Sequence, residues 1–257
     1  MKRLFTLLYR WLRPVLDPVH VVNGLRGYLW FGRDWRAYRR LPQAEPLRLA
    51  EAYPQLHDRT AVSPFDPHYF YVNAWAMRRI TAAKPAGHVD VASQVMFANL
   101  LAAVLPVLFV DYRPLHAALS GLTSLSGSIL ALPFAANSVT SLSCLHVAEH
   151  IGLGRYGDPL DPLGSQHAAA ELARVLAPGG NLYFALPVGR PRVQFNAHRI
   201  HDPHTICAYF AGLDLVEFCG VDDHGRFQEN IDPAVLANSH YACGLFWFRK
   251  PPIIPEA

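Results

Sequence analysis

Cysteine is scarce in this 257-residue chain: Cys144, Cys207, Cys219 and Cys243 lie far apart, and no two form a C-x-x-C pair. They read as small buried hydrophobes in a reducing cytosol, not as a disulfide framework. Charged side chains make up only 17% of the sequence and hydrophobic ones 51%, which excludes general disorder, a coiled coil and a collagen-like rod. Long apolar runs are missing as well. The best stretch, Phe97 to Val110, is too short to span a bilayer and is broken by Pro106. No internal repeat or low-complexity tract is present. What remains is length and apolar content for one α/β domain with a substantial core and an N-terminal extension.

Acidic residues are rare at the start. Residues 1–40 carry nine basic side chains against Asp17 and Asp34, a net +7 that leaves the other residues at −4. Within Lys2–Arg13, Leu4, Leu8, Trp11 and Leu12 share one helical face, with Phe5 and Leu7 at its edges and Arg3, Arg10 and Arg13 flanking it. A secretory signal fits poorly, because arginines interrupt the apolar part and no small-residue cleavage site follows. Two readings stay open: a helix lying on an anionic inner-leaflet surface, or a helix packed on the domain with a solvated basic face. Either places the chain in the cytoplasm, the first peripherally on the inner membrane face. No nucleic-acid partner is expected.

Punctuation divides the chain into a basic arm with a proline-rich connector (1–67), an α/β domain (68–250) and a tail (251–257). Asp66-Pro67-His68 leads into a helix from about Tyr69 to Ala83, stopped by Lys84-Pro85-Ala86-Gly87. The pattern then alternates. Strands are expected at His88–Ala92, Val107–Asp111, near Ser128–Ala131, at Val139–Cys144 and at Asn181–Leu186. Helices are expected at Ser93–Leu105 and at Gln166–Leu176, the latter ended by Pro178-Gly179-Gly180. Two late apolar runs, Leu213–Phe218 and Tyr241–Phe248, finish the sheet. This order predicts a doubly wound, mostly parallel sheet covered on both faces.

Chemistry-bearing residues collect where such a sheet binds ligands, at the carboxyl edge. Asp111 ends the second strand 21 residues after Asp90, the spacing of an acid that accepts from ribose hydroxyls. After the fourth strand, the Glu149–Pro162 stretch holds three glycines and two prolines and reads as an ordered loop. Arg155 offers a planar fork for a carboxylate or phosphate, and His146 and His150 can exchange protons near neutral pH. Asp158 and Asp161 read equally well as turn caps. A second polar cluster, Phe195–His204, leaves the same edge. Its His198, His201, Asp202 and His204 have donors suited to a divalent ion, but Pro203 breaks any shared helical face, so no metal is assigned. Polar substrate binding, or a histidine base, is the preferred reading.

Leu132-Pro133-Phe134, Glu149-His150, and Arg174-Val175-Leu176 with Pro178-Gly179-Gly180 stand in the order found in the second half of class I S-adenosylmethionine-dependent methyltransferases, which this chain resembles. The resemblance implies a Rossmann-like domain and S-adenosylmethionine as donor, with contacts from Asp90, Ala92, Ser93, Asp111 and Ser128. In that family, glycines would fall at Ala92, Gln94 and Met96, and an acid near the adenine at Ser128. All four positions are replaced here, and Gln94 and Met96 put bulk where the methionine part of the donor usually lies. More narrowly, His68-Tyr69-Phe70, Leu142–His146, the Glu149–Asp158 string and Phe195–Arg199 are similar to an uncharacterised bacterial family, "domain of unknown function 268", over residues 60 to 230. Its association with surface-polysaccharide synthesis implies a sugar or glycan-lipid substrate.

Two function classes follow. In one, the protein is an O-methyltransferase in which His150 or His198, with Glu149, removes a sugar hydroxyl proton, while Arg155, Tyr156, Asp158, His146 and His201 bind the acceptor. In the other, the replaced glycines mark a non-catalytic methyltransferase-fold protein that binds a glycan intermediate or a partner enzyme.

Overall fold

The computed structural model describes residues 2–253, so the end of the 251–257 tail lies outside the described residues. The chain divides after Phe65 into two compact units. In the first, α1 (Lys2–Leu12) and α2 (Pro18–Tyr38) are joined by a turn, and Asp17 caps α2 by accepting from Val19 and His20 N–H. On α1, the apolar side chains Phe5 and Trp11 are 76% and 79% exposed. Among the described residues no helix is long and apolar enough to cross a membrane.

The second unit opens with the same Asp-Pro device. Asp66 accepts from His68 and Tyr69 N–H and Pro67 supplies the fixed first turn, starting α3 (Pro67–Ala83). Lys84 ends it in the left-handed region at φ 48°. The remaining helices of the unit are α4 (Val95–Ala102), α5 (Gly164–Val175) and α6 (Pro203–Tyr209). Its strands are β1 (His88–Val91), β2 (Val107–Asp111), β3 (Leu122–Ser126), β4 (Val139–Leu145), β5 (Leu176–Val188), β6 (Arg192–Gln194), β7 (His198–Ile200), β8 (Asp214–Val221), β9 (Phe227–Gln228) and β10 (Ala242–Arg249). Eight of them form one sheet in the order β3-β2-β1-β4-β5-β10-β8-β9, while β6 and β7 pair separately as a hairpin. Strands β1 to β5 run parallel; β10 enters antiparallel between β5 and β8.

Alternation along the central strands sends side chains to two cores, one on each face. Leu142, Phe184, Phe246 and Phe248 pack with Leu172 of α5 and with Phe210 just past α6. Leu145, Tyr183 and Leu245 pack with Trp75 and Ile80 of α3 and with Phe97 and Leu101 of α4.

Several expected elements shift. The third strand lies at Leu122–Ser126, and Ser128–Ala131 is a tight turn held by one isolated bridge, because Ser128 Oγ accepts from Leu130 N–H. Helix α4 is shorter than the expected Ser93–Leu105, since Ser93 is bound to Asp90 and α4 begins only at Val95. Pro178-Gly179-Gly180 does not stop a helix. Helix α5 has already ended at Val175, and the triplet is an irregularity inside β5, with Gly179 at φ 74° donating to the Lys250 carbonyl at 2.8 Å.

Phe246 is fully buried and its ring centroid lies 4.7 Å from that of Phe218. Phe246→Ala is therefore expected to lower the unfolding free energy by about 3–5 kcal/mol in urea titration, whereas truncating the exposed Val216 should cost under about 0.5 kcal/mol.

Candidate functional site

The strand order reverses between β1 and β4, and open α/β sheets bind ligands outside the carboxyl ends at such a point. A mostly apolar cleft that opens to solvent lies there. Val91 at the end of β1 and Ala92 just after it, Asp111 of β2, the Gly127–Leu130 turn and His146 and His150 after β4 form its walls, and Tyr156, Asp158 and Pro159 close one side. Gly127 is required in that wall, because a Cβ there would stand 2.8 Å from Val110 Cγ1.

Of the residues expected to hold a donor, Asp111, Ala92 and Ser128 face this cleft. Asp111 is positioned by the Arg113 N–H, which donates to its Oδ1 at 2.7 Å. Ala92 sits at φ 55°, the left-handed region in which a side chain costs on the order of 1 kcal/mol. Asp90 and Ser93 do not reach the cleft, which corrects their reading as cofactor contacts. Asp90 is fully buried, accepting from the Ser143 hydroxyl and from Ser93 N–H, and Ser93 Oγ accepts from Leu145 N–H at 3.0 Å. His88 joins the same group, its two ring nitrogens each 2.8 Å from the hydroxyls of Ser141 and Ser143. Burial pushes the Asp90 carboxyl up to about 6 and the His88 imidazole down to about 3. These side chains rivet β1 to β4 beneath the site.

The two bulky replacements are also out of the way. Gln94 turns outward and accepts from Asn73 Nδ2 at 3.0 Å, and Met96 is 57% exposed on α4. Neither lines the cleft.

On the opposite wall, His150 Nδ1 lies 2.6 Å from the Ala197 carbonyl. A carbonyl only accepts, so this contact calls for a hydrogen on Nδ1, whereas Arg155 Nη1, which only donates, stands 3.3 Å from the same nitrogen. Glu149 Oε1 lies 3.7 Å from His150 Nε2 and 3.1 Å from His146 Nδ1. Burial raises the Glu149 pKa, yet the adjacent His146 and His150 outweigh it and hold the carboxyl low. Glu149 is 1% exposed and does not line the cleft, so it positions histidines and touches no ligand. His146 has both nitrogens engaged, Nδ1 with Glu149 and Nε2 with Cys243 Sγ at 3.3 Å. Although its residue borders the cleft, it has no ring nitrogen left for a substrate. Burial lowers its pKa, but Cys243 and Glu149 reverse that and raise it well above the ordinary value.

Tyr156 forms the rim, with the guanidinium groups of Arg113 and Arg155 4.5 Å and 5.1 Å from its ring centroid. Arg155 is exposed and donates to the Ala197 carbonyl at 3.0 Å, which ties the two loops together. Asp158 accepts from Gly152 and Tyr156 N–H, so both of its oxygens shape the loop. His198 stands beside His150, ring centroids 6.3 Å apart, but outside the cleft wall; burial lowers its pKa. His201 is not with them. It faces a separate cavity with Arg199 and Tyr209, which corrects its reading as part of the same acceptor site. Asp202 caps α6 through His204 N–H.

Sequence reasoning missed Arg199, His68 and Cys243. The Arg199 guanidinium donates to the backbone carbonyls of Ile151 and Asp161, at 2.5 Å and 2.9 Å, and so pins the Glu149–Pro162 loop. His68 and Cys243 approach His146 from α3 and β10, and no local spacing links these three.

Residues 130–238 match the family described as "Caenorhabditis protein of unknown function, DUF268". That description names Caenorhabditis, so it gives no support to the bacterial origin expected of the family. None of the curated proteins matches the chain in sequence. Among solved structures, one similar chain belongs to the Haloferax volcanii complex that contains the Trm112 methyltransferase activator, at 16% identity and TM-score 0.53, covering 74% of this chain and 92% of that one. The N-methyltransferase NodS from Bradyrhizobium japonicum, in complex with S-adenosyl-L-homocysteine, is similar at 15% identity and TM-score 0.50, covering 77% and 92%. The [4+2]-cyclase SpnF is similar at 14% identity and TM-score 0.52, covering 71% and 81%. The chain has the class I methyltransferase fold, and the cyclase shows that likeness of fold leaves the chemistry to the site.

The Asp90 carboxyl holds its proton in the folded chain up to about pH 6, where an unfolded carboxyl has lost its own. The native state then binds more protons than the unfolded state from about pH 4 to 6, so stability falls as pH rises through that window. Asp90→Asn is expected to remove on the order of 2–3 kcal/mol of that decline, read as the difference between variant and wild type in urea titrations across the window. Parallel pH curves for the two proteins would contradict the buried-carboxyl account.

Proposed function

We propose that the protein is an S-adenosylmethionine-dependent methyltransferase acting on a hydroxyl of a sugar or glycan-lipid. The observation that carries this reading is that Asp111 and His150 face one cleft at the switch point, while Gln94 and Met96 stay outside it. An acid at the end of β2 fits the ribose of a nucleoside, and Ile129 and Leu130 beside Gly127 offer an apolar slot for a base. When bound, the donor supplies an electrophilic methyl on a sulfonium centre.

The chain's own residues would do the rest. With the Nδ1 hydrogen on the Ala197 carbonyl, His150 Nε2 would accept the acceptor's hydroxyl proton, and the Glu149 carboxylate 3.7 Å away would stabilise the resulting imidazolium. Tyr156, between Arg113 and Arg155, presents an aromatic face on which the C–H side of a sugar ring can stack, and the part of the exposed Arg155 fork not spent on the Ala197 carbonyl can meet an anionic group. Catalysis would be mainly positioning.

Calorimetric titration with S-adenosyl-L-homocysteine tests the donor half. Wild-type binding, weakened at least about tenfold by Asp111→Ala, is expected. No binding at millimolar concentration would instead favour the non-catalytic, glycan-binding or partner-binding reading, for which the strained Ala92 is the supporting observation. With a methyl acceptor in hand, His150→Ala should lower turnover while donor affinity survives, and Arg155→Ala should raise KM for the acceptor.

The arm has its own place in the proposal. Exposed apolar side chains on α1, within a segment of net +7, support docking on an anionic membrane surface, where a lipid-linked acceptor would reside. Full-length protein is expected to co-sediment with anionic phospholipid vesicles at low salt, to be released as salt rises, and to lose binding when residues 1–40 are deleted. A full-length chain that stays in the supernatant at low salt would overturn the membrane role.

A further inference from the structure

Three ligand-type side chains from distant parts of the sequence meet behind the cleft. His68 lies in the first turn of α3, His146 just beyond the end of β4 and Cys243 at the start of β10. All three are buried, and one donor atom from each lies within 4.8 Å of the others. Cys243 Sγ is 3.3 Å from His146 Nε2, and the two imidazoles stack with centroids 5.7 Å apart. Around a tetrahedral ion such donors stand roughly 3.5 Å apart, so modest side-chain rotation closes the set.

The surroundings match what a ligating imidazole requires. A histidine ligand commonly gives its other ring N–H to a carboxylate or backbone carbonyl, which fixes the tautomer and aims the free nitrogen. His146 Nδ1 meets Glu149 Oε1, leaving Nε2 toward Cys243, and the His68 ring is held by stacking on that of Tyr241, centroids 5.0 Å apart. Glu149 Oε2 is buried with no hydrogen-bond partner among the described residues, an unsatisfied negative end that an adjacent cation would balance. His146 is also held at φ 58°, a conformation that a non-glycine residue keeps only when its surroundings impose it.

The geometry points to a zinc-class divalent metal site formed by His68, His146 and Cys243, with Glu149 as the carboxylate behind His146. Binding displaces both the Cys243 thiol proton and the proton that the Glu149 and Cys243 side chains favour on His146, releasing them to solvent, and the borderline-soft N₂S donor set suits Zn²⁺ or Co²⁺ over Mg²⁺ or Ca²⁺. Neither His68 nor Cys243 lines the cleft, so the ion braces α3, β4 and β10 and sets the Glu149 carboxylate that supports His150. A Cys-His-Glu nucleophile fits less well. Cys243 has no exposed surface, and such a triad has no use for His68.

The test uses the full-length chain, stripped with a chelator and titrated with Co²⁺. One equivalent should bind and give a thiolate-to-cobalt charge-transfer band, which Zn²⁺ then displaces. Cys243→Ser should abolish the band, His68→Gln should weaken binding at least about tenfold, and changing the exposed His204 to Gln should alter nothing. Should Cys243→Ser fail to fold, the wild type still decides: Zn²⁺ should protect Cys243 from iodoacetamide, read by mass spectrometry. A wild-type complex without the band, a band that survives Cys243→Ser, or Cys243 alkylation indifferent to Zn²⁺ would overturn the assignment. Donor binding by calorimetry is a separate readout, so failure here leaves the methyltransferase reading to its own test.

Discussion

The parallel pairing of β1 with β4 is the constraint on which the rest of the site depends. It is where the strand order turns back, and therefore where two βα connections diverge and leave a cleft. The pairing is reinforced by side chains as well as backbone. His88, Ser141, Ser143 and Asp90 form a buried chain of hydrogen bonds across it, and Ser93 reaches over to Leu145 N–H. Buried polar groups of this kind are costly unless every partner is in place, so they fix one register and one separation of the strands. Asp111, Ala92 and His146 then inherit their positions from a rigid base.

Above that base, one carboxylate organises the polar edge. Glu149 sits between His146 and His150 in a low-dielectric setting where a single negative charge acts strongly on both rings. Around it, the Ala197 carbonyl gathers His150 and Arg155, and Arg199 holds the loop that carries Arg155, Tyr156 and Asp158. The edge is thus a preformed constellation, its side chains held by packing and hydrogen bonds before any ligand arrives.

The fold was legible because its signals are local and repeated. Apolar runs such as Val107–Val110 and Leu182–Leu186, in a chain that alternates them with helices, read directly as parallel strands buried on both faces. The misread elements are those in which one interaction overrode the pattern. The Ser128 hydroxyl makes a turn of Ser128–Ala131, and Gly179 kinks β5 where its triplet looked like a helix stop. The cleft was legible in part: Asp111 and His150 carry the right chemistry at the right edge. Asp90 and Ser93 had the right addresses but are turned into the strand pair, and His201 has the right chemistry but a different cavity.

What the sequence determined by itself was the periodicity of its strands and helices, the Asp-Pro helix starts, the basic arm and the edge at which polar residues would emerge, since each rests on neighbours within a few positions. Tertiary structure alone decided which of those residues meet. His68, His146 and Cys243 are separated by whole elements, and only the α3 packing and the antiparallel insertion of β10 beside β5 bring them together. Likewise, the outward turn of Gln94, just before α4, toward Asn73 of α3 is a contact that no spacing could report. Side-chain direction and long-range proximity come from the packed sheet, because a single residue's rotamer and partners are chosen by everything that surrounds it.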